Sequence, residues 1–244
     1  MKRAERERLD RLLVEKGLTP TRAKAQALIL AGQVRVDGRP SGKAGQAVAR
    51  DSRIEVLERM PYVSRGGLKL AAALDGFGIQ VAGRVCLDVG ASTGGFTDCL
   101  LQRGAARLYA IDVGAGQLDW KLRNDPRVIL KEGLNARYLG FEDIGERVDL
   151  VVCDVSFISV TLVLGPVAAL LKDTGEMVIL VKPQFEARRG QVGKGGIVRD
   201  PAVWQAACAR VEAAVRQLGF TAGVMESPVL GAEGNKEFLM YARH

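Results

Sequence analysis

The stretch Asp88-Val89-Gly90-Ala91-Ser92-Thr93-Gly94-Gly95-Phe96 has the residue types of a nucleotide cradle: an apolar run, Val85-Cys86-Leu87, feeds an acid and then a glycine-rich turn that opens a helix. Glycines let backbone approach a ligand closely, and the free N–H groups at a helix start face it. A dinucleotide fingerprint reads G-x-G-x-x-G. Here the spacing is G-x-x-x-G-G with an acid two residues before the first glycine, which fits S-adenosylmethionine better than NAD. Asp88, Gly90, Ala91, Ser92, Gly94, Gly95 and Phe96 are therefore the expected cofactor residues. The next apolar run ends in Ile111-Asp112-Val113, and Asp112, 24 residues after Asp88, is placed to bind ribose hydroxyls. Asn135 is a candidate for the adenine edge, although an asparagine in a loop also serves as a turn former. Gly193-Lys194 is discounted as a phosphate loop, because no Ser or Thr follows the lysine.

The single histidine is His244, so a histidine base or metal ligand is almost excluded; no Cys/His cluster suits zinc, no metal is expected, and no Gly-x-Ser-x-Gly elbow exists. Lysines and carboxylates must do the work. Two apolar runs end abruptly in charge, Val151-Val152-Cys153-Asp154 and Ile179-Leu180-Val181-Lys182, where an open α/β sheet places its ligands. Lys69 sits on the helix preceding the first strand of the sheet, Val85–Leu87, and Glu237 begins the last strand. Lys69, Asp154, Lys182 and Glu237 form the candidate catalytic set, although each alone reads as an ordinary surface charge.

The elements that must carry these residues follow from periodicity. Apolar β-type runs at Val85–Leu87, Leu108–Val113, Val128–Leu130, Val148–Cys153 and Met177–Val181 alternate with helical stretches such as Thr97–Arg103 and Val203–Leu218. That pattern predicts a doubly wound, Rossmann-like α/β sheet. Thr221–Glu226 and Glu237–Ala242 add two last strands, the ending expected of the class I methyltransferase variant. Ahead of it lies a small α/β module: a helix on Leu9, Leu12, Leu13 and Val14, a second on Ala23, Ala27, Leu28 and Leu30, a strand at 33–36 entering an Asp37-Gly38 turn, and a further strand at 53–57. The expected division is 1–59 for this module, 60–64 for a linker interrupted by Pro61, and 65–244 for the larger domain.

Charge follows the same division. Residues 1–60 hold 14 Lys/Arg against 8 Asp/Glu, while residues 61–244 hold 21 against 20. A basic module on a near-neutral body suits a polyanion-binding arm. The four cysteines are widely spaced, which suits reduced thiols in the cytoplasm. Met1 to Arg8 is charged and unlike a secretory signal. The uncharged run Val155–Leu171 is short for a membrane span and carries Gly165-Pro166, so a strand end and helix are expected there and no membrane partner.

Arg22, Lys24, Gly32, Val34, Arg35, Val36, Asp37 and Gly38 together resemble the alpha-L, or S4-type, RNA-binding motif. Ser64-Arg65-Gly66-Gly67-Leu68-Lys69-Leu70, the Asp88–Phe96 loop, Cys153-Asp154-Val155-Ser156-Phe157-Ile158-Ser159 and Val181-Lys182-Pro183-Gln184-Phe185-Glu186 resemble the TlyA family, which is similar to FtsJ-type ribose methyltransferases. The resemblance spans essentially the whole chain. It implies S-adenosylmethionine-dependent 2'-O-methylation of cytidine in ribosomal RNA, with Lys69, Asp154, Lys182 and Glu237 matching the family's K-D-K-E tetrad. Ribosomal RNA and ribosomal subunits are then the partners, and a monomer or weak dimer is expected. The chain lacks the extra C-terminal residues of some members, which implies large-subunit (23S) RNA alone rather than both subunits, with 16S RNA as the open alternative.

Within that reading Lys182 is the expected base, because a lysine among apolar strand residues near a second cation has its charged form disfavoured. Asp154 would orient Lys182 or the methyl-donor end, while Lys69 and Glu237 position ribose and phosphate. Arg11, Arg22, Lys24, Arg35 and Arg39, with Arg65, are the expected RNA contacts. Residues 186–200, with Arg188, Arg189 and Lys194, read as a mobile basic loop that closes on RNA. Phe157 and Phe185 are expected in the core, with stacking on a flipped base as the alternative. Two other functions remain open: a membrane-active haemolysin-like protein, which the absence of a signal and span opposes, and a non-catalytic ribosome assembly factor, which the intact tetrad opposes.

Overall fold

The computed structural model describes residues 5–57, 60–188, 190–231 and 234–244. The chain divides into two compact units, Met1–Met60 and Pro61–His244.

In the first unit, helices α1 (Leu9–Glu15) and α2 (Arg22–Leu30) pack around Leu9, Leu12, Leu13, Ala25 and Ile29, with Val34 and Val48 closing the core. Thr21 caps α2 by accepting from Lys24 N at 3.2 Å. The buried stripe of α2 is Ala25 and Ile29, not the expected face, and Leu30 is 75% exposed. Ala25 and Ile29 are four apart and share one face, whereas Leu30 is rotated about 100° past it. Strands β1 (Arg6–Arg8), β2 (Val34–Val36), β3 (Arg39–Pro40), β4 (Ala47–Ala49) and β5 (Ile54–Val56) make two small sheets. β2 lies between β3 and β5, antiparallel to both, and its two-residue turn holds Asp37 and Gly38 at φ 49 and 77. The second pair, β1 with β4, was not foreseen, because Arg6–Arg8 carries no apolar alternation.

The second unit begins with Pro61 and Val63 bonded to the helix that follows the glycine loop: Gln102 Nε2 donates to Pro61 O at 2.9 Å and Val63 N to Asp98 Oδ2 at 2.8 Å. Its elements are α3 (Gly66–Phe77), β6 (Val85–Val89), α4 (Gly95–Gln102), β7 (Arg107–Asp112), α5 (Trp120–Arg123), β8 (Val128–Glu132), α6 (Phe141–Ile144) and β9 (Val148–Cys153). There follow α7 (Thr161–Ala168), β10 (Leu171–Val181), α8 (Pro183–Glu186), α9 (Pro201–Gln217), β11 (Thr221–Glu226) and β12 (Phe238–Arg243).

Seven strands form one sheet in the order β11-β12-β10-β9-β6-β7-β8. β12 is antiparallel to both its neighbours, and the pairs from β10 to β8 are parallel. Both faces are covered, one core gathering around Val151, Ile179, Val163 and Val211 and the other around Leu70, Leu100, Leu108 and Leu180. This burial explains why the parallel strands read as continuous apolar runs. The chain runs β6 to β7 to β8 in one direction, then returns to lay β9 beside β6. The crevice at the carboxyl ends of β6 and β9 is thus the topological switch point, where open sheets bind ligands.

Candidate active site

The loop leaving β6 and the loop leaving β9 touch across that crevice. Gly90 has φ 85, and a Cβ there would lie 2.5 Å from the carbonyl oxygen of Asp154. Only glycine allows the two strand ends so close. Gly95, at the start of α4, is constrained differently: a Cβ would lie 2.2 Å from Ser64 Oγ and 2.9 Å from Gly67 N, so α3 and α4 meet backbone to backbone.

A cavity of about 620 Å³ opens on one side of the loop, lined by Gly90, Ala91, Ser92, Gly95 and Phe96 together with Arg65, Lys69, Asp154, Lys182 and Glu237. A second, of about 420 Å³, opens on the other side over Asp112, Gln117, Leu134 and Asn135. Both are bordered by Gly90, Ser92, Asp154, Ser156 and Phe157. The loop therefore lies under an elongated trough with a polar, charged end and a more apolar one.

The four charges of the candidate set all face the first cavity, as two ion pairs. Lys69 Nζ donates to Glu237 Oε2, with Lys69 8% and Glu237 2% exposed. Lys182 Nζ lies 2.5 Å from Asp154 Oδ1, a charge contact without hydrogen-bond alignment, and donates a hydrogen bond to Ser156 Oγ at 2.7 Å. The expected neighbour of Lys182 was a second cation; its neighbour is a carboxylate, and Lys69 has its own.

Asp112 accepts from Ser92 N at 2.8 Å and Gly114 N at 2.7 Å, which fixes its carboxylate at the rim of the second cavity. Asn135 borders the same cavity and also caps a 3₁₀ turn through Arg137 N at 3.1 Å. Gly94 has its Cα face covered by Leu118 and Leu122 and borders neither cavity.

Asp88 lies beneath the loop, fully buried, and borders neither cavity. Its Oδ2 accepts from Thr97 Oγ1 at 2.6 Å, and its Oδ1 has no partner. Burial pushes its carboxyl up from an ordinary 3.8 to about 7, opposed by the Thr97 bond and reinforced by Asp154 and Asp112. The native state therefore holds a proton that the unfolded chain has released, and this contribution to stability is complete below about pH 4 and lost as pH rises through about 7. Asp88→Asn, neutral and still able to accept from Thr97, should flatten the fall in urea midpoint between about pH 5 and about pH 8. An unchanged pH dependence would show that Asp88 is ionised in the native protein.

Of the two aromatics expected in the core, Phe157 is corrected and Phe185 is half-buried. Phe157 is 89% exposed, with φ 66, and its ring lies 5.4 Å from that of Phe185 at the mouth of the first cavity. Core burial fails because the turn after Asp154 directs this residue outward. Burial disfavours the thiolates: it raises Cys153, Cys86 to about 12, and Cys99 and Cys208 to about 11. Among the described residues no group of three or more His, Cys, Asp or Glu could hold a metal ion.

Ser156, Thr97, Ser159 and Glu186 were not singled out as site residues; only Ser156 and Ser159, between Asp154 and an apolar helix, carry a sequence signal. Arg188 and Lys194 are exposed, and Arg189 lies outside the described residues. The loop expected to be mobile is tied down at its far end: Asn235 Oδ1 accepts from Val198 N, and its Nδ2 donates to Gly196 O, each at 2.9 Å. In the first unit Lys24, Arg35 and Arg39 are exposed, and Arg11 lies 4.0 Å from Glu7. Arg22 turns instead to the buried Asp10, at 2.8 Å, beside Arg8 and Gln26.

That strand order, with its single inserted antiparallel strand, and the charged mouth beside a glycine loop define a methyltransferase, and residues 62–244 match the FtsJ-like methyltransferase family. Residues 7–54 match the S4 domain. The chain is 49% identical over 243 residues, 98% of its length and 91% of the relative's, to the 16S/23S rRNA (cytidine-2'-O)-methyltransferase TlyA of Mycobacterium tuberculosis. It is 37% identical over 182 residues, 74% of its length and 70% of the relative's, to the 23S rRNA (cytidine-2'-O)-methyltransferase TlyA of Campylobacter jejuni. A solved structure from Streptococcus thermophilus, under a provisional hemolysin label, shares 42% identity and a TM-score of 0.75 over 99% of this chain and 89% of that one. The chain belongs to the TlyA family of FtsJ-like methyltransferases.

Proposed function

We propose that this protein transfers a methyl group from S-adenosylmethionine to the 2'-hydroxyl of a cytidine in ribosomal RNA. The observation that carries the reading is the pair of ion pairs, Lys69–Glu237 and Lys182–Asp154, facing one cavity beside the Gly90–Phe96 loop. The trough fits the cofactor: Asp112 and Asn135 border the end suited to the nucleoside, and Gly90 to Phe96 the length suited to the remainder. S-adenosylmethionine supplies an electrophilic methyl on a sulfonium. A ribose hydroxyl is a weak nucleophile and must lose its proton as it attacks. Lys182 Nζ is the acceptor in this reading: it takes the hydroxyl proton as the methyl transfers, and the carboxylate of Asp154, with Oδ1 at 2.5 Å, stabilises the ammonium so formed. Lys69 and Glu237, locked to each other, hold a rigid wall against which ribose and phosphate align.

The rest of the chain supports an RNA substrate. Lys24, Arg35 and Arg39 offer exposed charge to phosphates, and Arg65 does so at the cavity itself. The exposed ring of Phe157 is placed to stack on an unpaired base brought to the mouth. Ribosomes place such an enzyme in the cytoplasm, and no helix among the described residues is long and apolar enough to cross a membrane.

The test is transfer of tritiated methyl from S-adenosylmethionine to unmodified 30S, 50S and 70S particles, followed by nucleoside analysis. Label in a cytidine ribose of 50S particles is expected, since 23S RNA is the substrate common to both named relatives; label in no particle overturns the proposal. Phe157→Ala should lower kcat/KM by about tenfold or more, a larger loss than any in S-adenosylhomocysteine binding. An unaltered kcat/KM would remove Phe157 from the substrate site.

A further inference from the structure

Glu186 is 2% exposed, and the chemistry above does not use it. It closes α8, four residues after Lys182, but its carboxylate reaches across to the chain leaving the neighbouring strand. Oε1 accepts from Val160 N at 2.7 Å and Oε2 from Ser159 Oγ at 2.5 Å. Val160 is the N-cap of α7, so the negative charge sits where that helix favours one. On its other side, the Glu186 carbonyl accepts from Arg210 Nη1 of α9 at 2.7 Å.

The backbone ladder between β9 and β10 ends at Cys153 opposite Ile179. Beyond it, among the described residues, no backbone hydrogen bond joins 154–160 to 182–187. Yet three side-chain pairs at the mouth bridge these two segments: Asp154 with Lys182, Ser156 with Lys182, and Phe157 with Phe185. The first two are partly open to solvent, and solvent-exposed pairs hold geometry weakly. The buried bonds of Glu186 are the part of the bridge that water does not contest.

We infer that Glu186 is a positioning residue, setting the register of Asp154 and Phe157 on one strand end against Lys182 and Phe185 on the other. The inference rests on the methyl-transfer reading. A displacement of about 1 Å in a reacting group costs about 10²-fold in rate. Glu186→Ala orphans the Val160 N–H and cuts Ser159 loose from α8, leaving its hydroxyl bonded only to Thr161 of its own segment. Glu186→Gln can keep both ties, its carbonyl accepting from Val160 N and its amide donating to Ser159 Oγ.

In the full-length protein, Glu186→Ala should lower kcat by about 10²-fold per cofactor-competent molecule, counted by S-adenosylhomocysteine titration, with KM for the particle nearly unchanged. Glu186→Gln should recover most of that rate, and deuterium uptake at 155–161 should rise in the alanine variant alone. Undiminished kcat in Glu186→Ala, equal damage in both variants, or a loss accounted for by fewer competent molecules would each overturn the assignment. Where the wild type labels no particle, the methyl-transfer reading fails and exchange decides: increased uptake at 155–161 sustains the brace, and unchanged uptake removes it.

Discussion

Lys182→Ala should reduce methyl transfer by about 10²- to 10⁴-fold, the range that a positioned general base contributes. Binding of S-adenosylhomocysteine should persist, because the glycine loop and Asp112 are untouched by the change. Asp154 and Ser156 lose their partner, but both border an open cavity where water can replace it. The substitution therefore removes a reacting group without stranding a charge. Single-turnover labelling of 50S particles is the appropriate measurement, since product release can mask a slower chemical step. Equal labelling by the two proteins would remove Lys182 from the proton path and shift attention to the carboxylate it contacts.

Glu237→Ala should cost about 3–5 kcal/mol of stability, because it leaves the Lys69 ammonium buried without its partner. A surface pair would cost about 1 kcal/mol or less, so urea unfolding distinguishes the two cases. Lys69→Met combined with Glu237→Leu tests the same pair from the other side. Apolar replacements of similar volume commonly match or exceed the stability of a buried ion pair, so the double variant should regain most of the lost stability while remaining inactive. Recovery of activity with stability would mean that the pair serves only the fold.

The sequence was most legible where the physics is local. Val85–Leu87 and Val148–Cys153 read as buried strands because both sheet faces are covered; Asp154 marks where the second leaves the core, whereas Asp88 stays fully buried within β6. Legibility fell where a side chain's environment depends on distant chain. Phe157 is apolar by type, which predicts burial, but its exposure follows from the turn between Asp154 and α7. Arg22 has the charge of an RNA contact, yet Asp10, twelve residues earlier, claims it through a helix–helix contact that no period announces. The bonds from Glu186 to Ser159 and Val160 join segments 26 or 27 residues apart and likewise leave no pattern. Residue types located the site; which charge faces which required the fold.

β12 lies between β10 and β11 in the sheet but follows both in the chain. During synthesis, β11 therefore emerges before the strand that joins it to the sheet, and has to wait with an unpaired edge. Lys69 waits longer still, since its carboxylate partner is 168 residues downstream. Until that late strand inserts, the ammonium is solvated and the mouth has only one of its two ion pairs. Assembly of the catalytic set is thus tied to the emergence of Glu237 and β12: a chain that has not yet reached them can form the glycine loop and the strands beside it, yet cannot close the wall that aligns a substrate. Polypeptides stalled upstream of Glu237 should be cofactor-trough folds without an enzyme.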